Sequence, residues 1–599
     1  MSNLCSNRVL RVNLTTGKIS RESLDPKMAV KFIGGRGLAT WYLRQEVEPT
    51  TDPLSPQNKV LLVSGPLTGT AAPASSRYMV VTKSPLNGGV ACSNAGGFWG
   101  PELRSAGYDM LILEGRAARP AWLYIKDDVV ELRDASACWG KLVSETTAIL
   151  QQEAGDPKAR VLTIGPAGEK CSPIAAVMND RYRAAGRSGV GAVLGSKNLK
   201  AVVVRGSGQI KAAEPERAKD VVSRVLQAIR AHAVTGQGLP TYGTSVLVNV
   251  INEIGAYPTR NFQESHFKTA DRVSGERLAE TYLVKNTACS RCPIACGRHC
   301  SLDGVEGEGP EYETLWAYSA NCGVDNLEAV IKANNWCNEY GLDTISAGAT
   351  IACAMEMYQR GILTRAEIGG PPLEFGSGEA IVEWTRRMGA GEGFGDKLAQ
   401  GSYRLAALYG VPELSMSVKR LELPAYDPRG VQGHGLQYAT SNRGGCHVRG
   451  YVISAEVLGI PEPVDRFALE GKAALAKLFQ DLTAVIDSLG LCLFTSFALK
   501  PDDYRDLYNA IAGGEWTTTE MLAAGERIWN LERLFNLAAG IDPSEDKLPK
   551  RLLSEPVPEG PSKGHVHRLA ELLPQYYQER GWSPKGIPTP EKLAALELV

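Results

Sequence analysis

Apolar residues fall in short runs along the first third of the chain. Runs of β-forming residues stand at 9–14, 60–63, 78–82, 110–113, 122–125, 161–164 and 201–204, with Gly, Pro and Asn turns between them. After Gly206-Ser207-Gly208 the pattern changes. Apolar residues now recur every three or four positions, which predicts helices over roughly 215–233, 311–320, 326–340, 344–360, 465–488 and 519–538. Pro215 falls near the first turn of the first helix, where its missing N–H is tolerated. Segments near 368–375 and 389–395 are Gly- and Pro-rich connections, and a Pro- and Lys-rich tail after about 545 is expected to wrap the surface. The chain is therefore predicted to be α+β: a β-sheet-rich domain over 1–208, then two mainly α-helical domains over 209–415 and 416–599. No heptads and no tandem repeat of fixed period are visible.

Two helical runs end alike. Asn338-Glu339-Tyr340-Gly341-Leu342-Asp343 and Asp487-Ser488-Leu489-Gly490-Leu491-Cys492 share the form x-x-x-Gly-Leu-Asp/Cys. Glycine just past a helix, followed by an apolar residue, is how a Schellman ending is built. Asp343 can also cap the next helix. On spacing alone two ordinary helix ends are the leading reading, and two similar junctions that each hold a similar ligand are the alternative.

Cysteines change the picture from fold to chemistry. Cys289, Cys292 and Cys296 lie within eight residues, Cys300 follows, and Cys492 stands far downstream. Thiolates spaced C-x2-C-x3-C can converge on a cubane iron–sulfur cluster, which needs four ligands. An all-cysteine zinc site is the rival, although zinc ribbons separate two C-x2-C knuckles more widely. On spacing alone the fourth ligand is either Cys300 or Cys492. Cysteines 5, 92, 138, 171, 322, 337, 353 and 446 are expected to be small buried side chains.

Composition narrows the classes. A length of 599 residues allows two to four domains. A net charge of −1 gives no basic field for nucleic acid. No uncharged apolar stretch of about 18 residues predicts a membrane span. The N-terminus lacks an apolar run before a cleavage site, so thirteen cysteines read as thiols and metal ligands, and the cytoplasm is the expected compartment. Glycine-rich loops beside Arg77, Arg183 and Arg187 suit phosphate groups, yet neither a Rossmann nor a P-loop motif is present. Glu311 and Glu313 fall on the first turn of a predicted helix, where acids favour the dipole. His447 sits in the Gly-rich loop Arg443-Gly444-Gly445-Cys446-His447. Each has an ordinary structural reading; a Glu and a His in one pocket could also move protons.

With these pieces in place, nearly the whole chain resembles the aldehyde:ferredoxin oxidoreductase family of tungsten enzymes. The resemblance rests on motifs in family order: Gly34-Gly35-Arg36-Gly37, Arg77, Ser93-Asn94-Ala95-Gly96-Gly97, Arg183-Ala184-Ala185-Gly186-Arg187, Cys289-x2-Cys292-x3-Cys296, Gly309-Pro310-Glu311-Tyr312-Glu313, Asp427-Pro428-Arg429-Gly430 and Asp487-x2-Gly490-Leu491-Cys492. It implies tungsten, or else molybdenum, held by the dithiolenes of two pyranopterins, with the β domain as a base beneath them. It also implies a Mg2+ joining the pterin phosphates through the backbone carbonyls of Asn94 and Ala184. A [4Fe–4S] cluster would be held by Cys289, Cys292, Cys296 and Cys492, with Arg77 between cluster and pterin. The motifs around Asn94, Ala95, Gly96, Arg183 and Ala184 would contact the cofactor. Asn338, Gly341, Leu342 and Asp343 would clasp one pterin, and Asp487, Gly490 and Leu491 the other. Glu313 and His447 occupy the family's two catalytic positions.

Two departures stand out: Asn338 replaces the usual Asp, and no histidine has Glu three residues before it, so the interfacial iron of some members is expected to be missing. The implied function is tungsten-dependent oxidation of an aldehyde to its acid with water as oxygen source. The electrons would pass to ferredoxin or a ferredoxin-like subunit, in an oligomer or multi-subunit complex of undetermined composition. The alternatives are a tungstopterin reductase of an aromatic acyl thioester and a non-catalytic iron–sulfur electron-transfer subunit.

Overall fold

Residues 8–205 carry two six-stranded sheets. In this computed structural model, which describes residues 7–598, the strands are β1 (Arg8–Asn13), β2 (Lys18–Ser23), β3 (Val60–Ser64), β4 (Tyr78–Lys83), β5 (Val90–Ala95), β6 (Met110–Glu114), β7 (Ala121–Lys126), β8 (Val129–Asp134), β9 (Arg160–Thr163), β10 (Val177–Asn179), β11 (Arg183–Ala185) and β12 (Leu199–Arg205). Strands β3 and β4 are buried at every position. Their continuous Val, Leu and Met runs suit a sheet covered on both faces. One face of the first sheet packs against Leu38, Leu43, Ile528 and Phe535 of two helices. The other meets the second sheet in a core that includes Leu62, Val80, Leu123, Leu162 and Val202.

The two sheets are one arrangement used twice. The first runs β2-β1-β6-β3-β4-β5 and the second β8-β7-β12-β9-β10-β11, which is the first displaced by six strands. Each has one parallel pair, β1 with β6 and β7 with β12. The equivalence reaches single residues. Met79 pairs Asn94 and Tyr78 pairs Ala95, while Met178 pairs Ala184 and Val177 pairs Ala185. Asn94-Ala95-Gly96 and Ala184-Ala185-Gly186 therefore hold matching positions, and β5 and β11 lie close together. The repeat lives in hydrogen-bond register, so residue identities do not show it.

The predicted helices appear as Pro215–Ala231, Tyr312–Tyr318, Leu327–Tyr340, Thr344–Gln359, Lys472–Leu489 and Thr518–Ala538. Residues 465–471 are not helical: Gly471, with φ +74°, stands in the left-handed region directly before Lys472. An additional three-stranded sheet, β13 (Leu283–Thr287), β14 (Gly297–Leu302) and β15 (Val305–Glu308), escaped prediction because exposed polar residues interrupt its apolar pattern. Its first connection carries Cys289–Cys296. The tail does more than wrap the surface. Buried Arg551 reaches Glu356 at 2.6 Å and buried Arg580 reaches Asp481 at 2.5 Å, tying late residues into the helical core. Among the described residues no helix is long and apolar enough to cross a membrane.

Candidate active site

The two Gly-Leu helix ends close as Schellman motifs. Gly341 has φ +71° and the Leu342 N–H donates to Cys337 O at 2.9 Å; Gly490 has φ +80° and the Leu491 N–H donates to Ile486 O at 3.2 Å. Each end docks on one half of the duplicated β domain. The Arg77 N–H donates to Gly490 O (3.2 Å) and the Cys492 N–H to Ala74 O (3.1 Å). In the other half, the Ala176 N–H donates to Gly341 O (2.8 Å) and the Asp343 N–H to Ile174 O (3.0 Å). Gly65 and Gly165, each followed by proline, make these approaches possible. A Cβ on Gly65 would lie 2.2 Å from the Leu489 carbonyl carbon, and one on Gly165 2.2 Å from Tyr340 O. Sequence reasoning missed both, although the repeated Gly-Pro just after a strand was the available signal. The two-fold correspondence breaks where chemistry differs: Cys492 matches Asp343, and Arg77 matches Ala176.

Both junctions face one cavity of about 350 Å3. Arg77, Asn94, Gly96, Arg183, Ala184, Asn338, Leu342, Asp343, Asp487, Leu491, Glu313 and His447 line it, together with Cys289, Cys296 and Cys492. Ala95, Gly341 and Gly490 are absent from the wall and shape the backbone behind it. Asp343 caps the helix Thr344–Gln359 through the Ile345 N–H, as its position predicts, and accepts from Arg187 Nε at 3.2 Å. Arg187 also donates to Gly445 O and Glu422 O, both at 2.6 Å, joining this junction to the His447 loop. Asp487 is held by Arg449, by Arg36 at 3.3 Å and by the Asn94 amide at 3.1 Å, while Arg36 also grips Glu532 at 2.7 Å. Removing one member of such a buried set would strand a charge. Among the described residues, no arginine pair meets Asn338, the counterpart of Asp487, as Arg36 and Arg449 meet Asp487.

Glu313 stands in the first turn of Tyr312–Tyr318, with Oε2 accepting from the Ala425 N–H at 3.0 Å. Its Oε1 lies 3.6 Å from His447 Nε2. The two side chains keep 13% and 16% of their surface, enough to meet a ligand in the cavity. Burial pushes the Glu313 carboxyl up to about 8, opposed by the Ala425 N–H and Arg187. Burial, with help from Arg187, His434 and Arg443, holds the His447 imidazole well below its ordinary range. At neutral pH the pair is thus an uncharged acid beside an uncharged imidazole, not an ion pair. Glu313 Oε1, His447 Nδ1 and Arg443 Nε are buried without a hydrogen-bond partner in the protein.

Cys289, Cys292, Cys296 and Cys492 gather around a small adjoining cavity with Arg77 in its wall. Arg77 donates to Cys492 Sγ at 3.2 Å and to Asn94 Oδ1 at 3.1 Å, bridging the thiols to the main cavity. Gly96 lets Cys289 in, since a Cβ there would lie 2.7 Å from its sulfur. Cys300 is elsewhere, buried on β14 against Gly309. Among the described residues no three His, Cys, Asp or Glu side chains are placed to hold a single metal ion. Burial, then the neighbouring Cys492, pushes the Cys292 thiol up to about 11. Cysteines 92, 138, 322, 337, 353 and 446 are buried as expected, Cys171 is half-buried, and Cys5 lies outside the described residues.

Known proteins resemble the chain over nearly its whole length. Models of the aldehyde ferredoxin oxidoreductase N-terminal domain and of its domains 2 and 3 match residues 9–206 and 220–598. The chain is 54% identical over 98% of both lengths to a tungsten-containing aldehyde ferredoxin oxidoreductase of Pyrococcus furiosus. It is 53% identical, again over 98% of each, to that of Thermococcus kodakarensis. A solved structure, the active site complex BamBC of benzoyl coenzyme A reductase with 1,5-dienoyl-CoA, superposes with a TM-score of 0.87 at 27% identity, covering 100% of this chain and 98% of that one. Two family models that together span almost all of the sequence leave one conclusion: the chain belongs to the aldehyde ferredoxin oxidoreductase family and is an oxidoreductase.

Proposed function

We propose that this enzyme oxidises an aldehyde to the carboxylic acid with water as oxygen source. The reaction would occur at tungsten held by two pyranopterins in the main cavity, with two electrons leaving through a [4Fe–4S] cluster to ferredoxin or a ferredoxin-like subunit. One observation carries the reading: a duplicated β domain receives two matching Gly-Leu helix ends at one cavity. A two-fold scaffold with two equivalent clasps suits two copies of one cofactor.

The residues fit that group. Arg183, Arg187 and Arg443 in the wall suit anionic phosphates. The carbonyls of Asn94 and Ala184, at matching register, would hold Mg2+ between the two halves. Unpartnered Glu313 Oε1, His447 Nδ1 and Arg443 Nε await a ligand. Asn338–Asp343 and Asp487–Leu491 would each clasp one pterin. Cys289, Cys292, Cys296 and Cys492 would hold the cluster, with Arg77 on the path between. When bound, the tungstopterin supplies a two-electron acceptor at the cavity.

The chain's own residues then do the acid–base work. Neutral His447 donates a hydrogen bond to the aldehyde oxygen, polarising the carbonyl. Glu313, once ionised, takes a proton from the attacking water. Tyr312, Tyr426, Phe494 and Phe497 give the cavity an apolar flank that shields the carbonyl from bulk solvent. Identity near one half to aldehyde oxidoreductases, against 27% to the benzoyl coenzyme A reductase complex, favours aldehyde over acyl thioester. The test is aldehyde-dependent reduction of ferredoxin by tungsten-loaded protein. Loaded protein that ignores aldehydes yet reduces an aromatic acyl thioester would overturn the reading.

A further inference from the structure

Oxidising an aldehyde with water, RCHO + H2O → RCOOH + 2H+ + 2e−, releases two protons in the main cavity. The electrons pass to the ferredoxin-type acceptor; the protons need their own exit. Behind the cavity wall runs the helix Gln432–Thr440, and one face of it is unusual. His434, Gln437 and Tyr438 fall at i, i+3 and i+4, so they share that face, and Ser441 follows as the residue that ends the helix. All four are fully buried. Both ring nitrogens of His434, both amide atoms of Gln437, the Tyr438 hydroxyl and the Ser441 hydroxyl have no hydrogen-bond partner within the protein. Interior polar atoms are nearly always bonded, and water is the ligand that supplies donors and acceptors alike.

The stripe adjoins the catalytic pair. His434 lies edge-on to Tyr426 (5.2 Å between ring centres) and Tyr438 (4.5 Å), with Tyr451 at 6.1 Å. Tyr426 and Tyr451 share a hydroxyl–hydroxyl hydrogen bond of 2.7 Å, line the cavity, and flank His447 at 6.1 and 6.3 Å. One hydroxyl of that pair retains a proton to donate elsewhere. Burial holds the His434 imidazole down at about 3, so it stays neutral and offers one donor and one acceptor.

We infer that the face His434–Gln437–Tyr438–Ser441 binds a file of internal water that carries protons away from Glu313 and His447 through the Tyr426–Tyr451 pair. The inference rests on the aldehyde-oxidising reading. His434 is a positioning residue in it, acting through water and the two tyrosines.

The test uses the metal-loaded holoenzyme with His434→Phe, which keeps the aromatic packing, His434→Gln, which keeps a donor and an acceptor, and Tyr438→Phe, which removes one oxygen. Aldehyde-driven cluster reduction is followed by stopped flow in H2O and D2O, with tungsten and iron measured on the same samples. His434→Phe should slow reduction by about tenfold or more, below the 10²–10⁴-fold range of a direct acid–base group. It should also raise the solvent isotope effect. Tyr438→Phe should do so more weakly, and His434→Gln should recover part of the rate. A crystal structure of the holoenzyme should show ordered water on at least one His434 nitrogen. Rates and isotope effects equal to wild type in His434→Phe and Tyr438→Phe, or a dry face in the crystal, overturn the inference. Wild-type enzyme inactive on aldehydes would instead defeat the reading beneath it.

Discussion

On the proposed mechanism, replacing Glu313 by Gln removes the general base, and burial of that carboxyl sets the pH range in which it should act. Burial raises its carboxyl from the ordinary range to about 8. Each unit below that value cuts the ionised fraction about tenfold, so near pH 6 only about 1% of the enzyme has its base ready. Wild-type turnover should therefore climb steeply with pH and level off above about 8. Glu313→Gln keeps the shape and the Ala425 contact but cannot take a proton. Its turnover should fall by about 10²–10⁴-fold on the plateau and lose the ascending limb. The assay is aldehyde-dependent reduction of ferredoxin across about pH 5–10, with each rate divided by the measured tungsten content. Wild-type turnover in fully loaded Glu313→Gln would refute the role, and an ascending limb lying in the ordinary carboxylate range would refute the pKa argument.

Other outcomes follow from the same geometry. His447→Ala should lower turnover by about 10²–10⁴-fold with tungsten and iron contents unchanged, checked by kinetics alongside metal analysis. Cys492→Ser should lose or damage the [4Fe–4S] signal in electron paramagnetic resonance while Cys300→Ser keeps it; the reverse would place the fourth ligand locally. Gly165→Ala should destabilise by about 1–3 kcal/mol in calorimetry and impair pterin loading, because its Cβ would meet Tyr340 O at 2.2 Å. In cofactor-free protein the raised Glu313 carboxyl contributes stability that is present below the ordinary carboxylate range and lost as pH rises through about 8. The melting temperature of wild type should therefore drop relative to Glu313→Gln over that interval.

The sequence disclosed the junctions and the thiols because short-range rules govern them. A Schellman ending needs only Gly and an apolar neighbour, and Asp343 announces its cap. Spacing left Cys300 and Cys492 both eligible; only the fold puts Cys492 opposite the Cys289 loop and beside Arg77. The duplication of the β domain stayed hidden, since backbone pairing preserves it while residues such as Asn94 and Ala184 have diverged. Gly65-Pro66 and Gly165-Pro166 were visible but read as turns. His434, Gln437, Tyr438 and Ser441 escaped notice because a polar helical face ordinarily points to solvent, and here it points inward. The tail misled for a similar reason: charged residues such as Arg551 and Arg580 suggest a surface, yet both are buried against acidic partners.

The measurement that tests the central claim most directly is elemental and pterin analysis of the purified protein, made before any assay. Two equivalent clasps at one cavity predict two pterins for each tungsten, with magnesium present and iron no greater than one cubane cluster supplies. A single pterin per chain, a reproducible iron beyond the cluster, or zinc in place of iron would contradict the account.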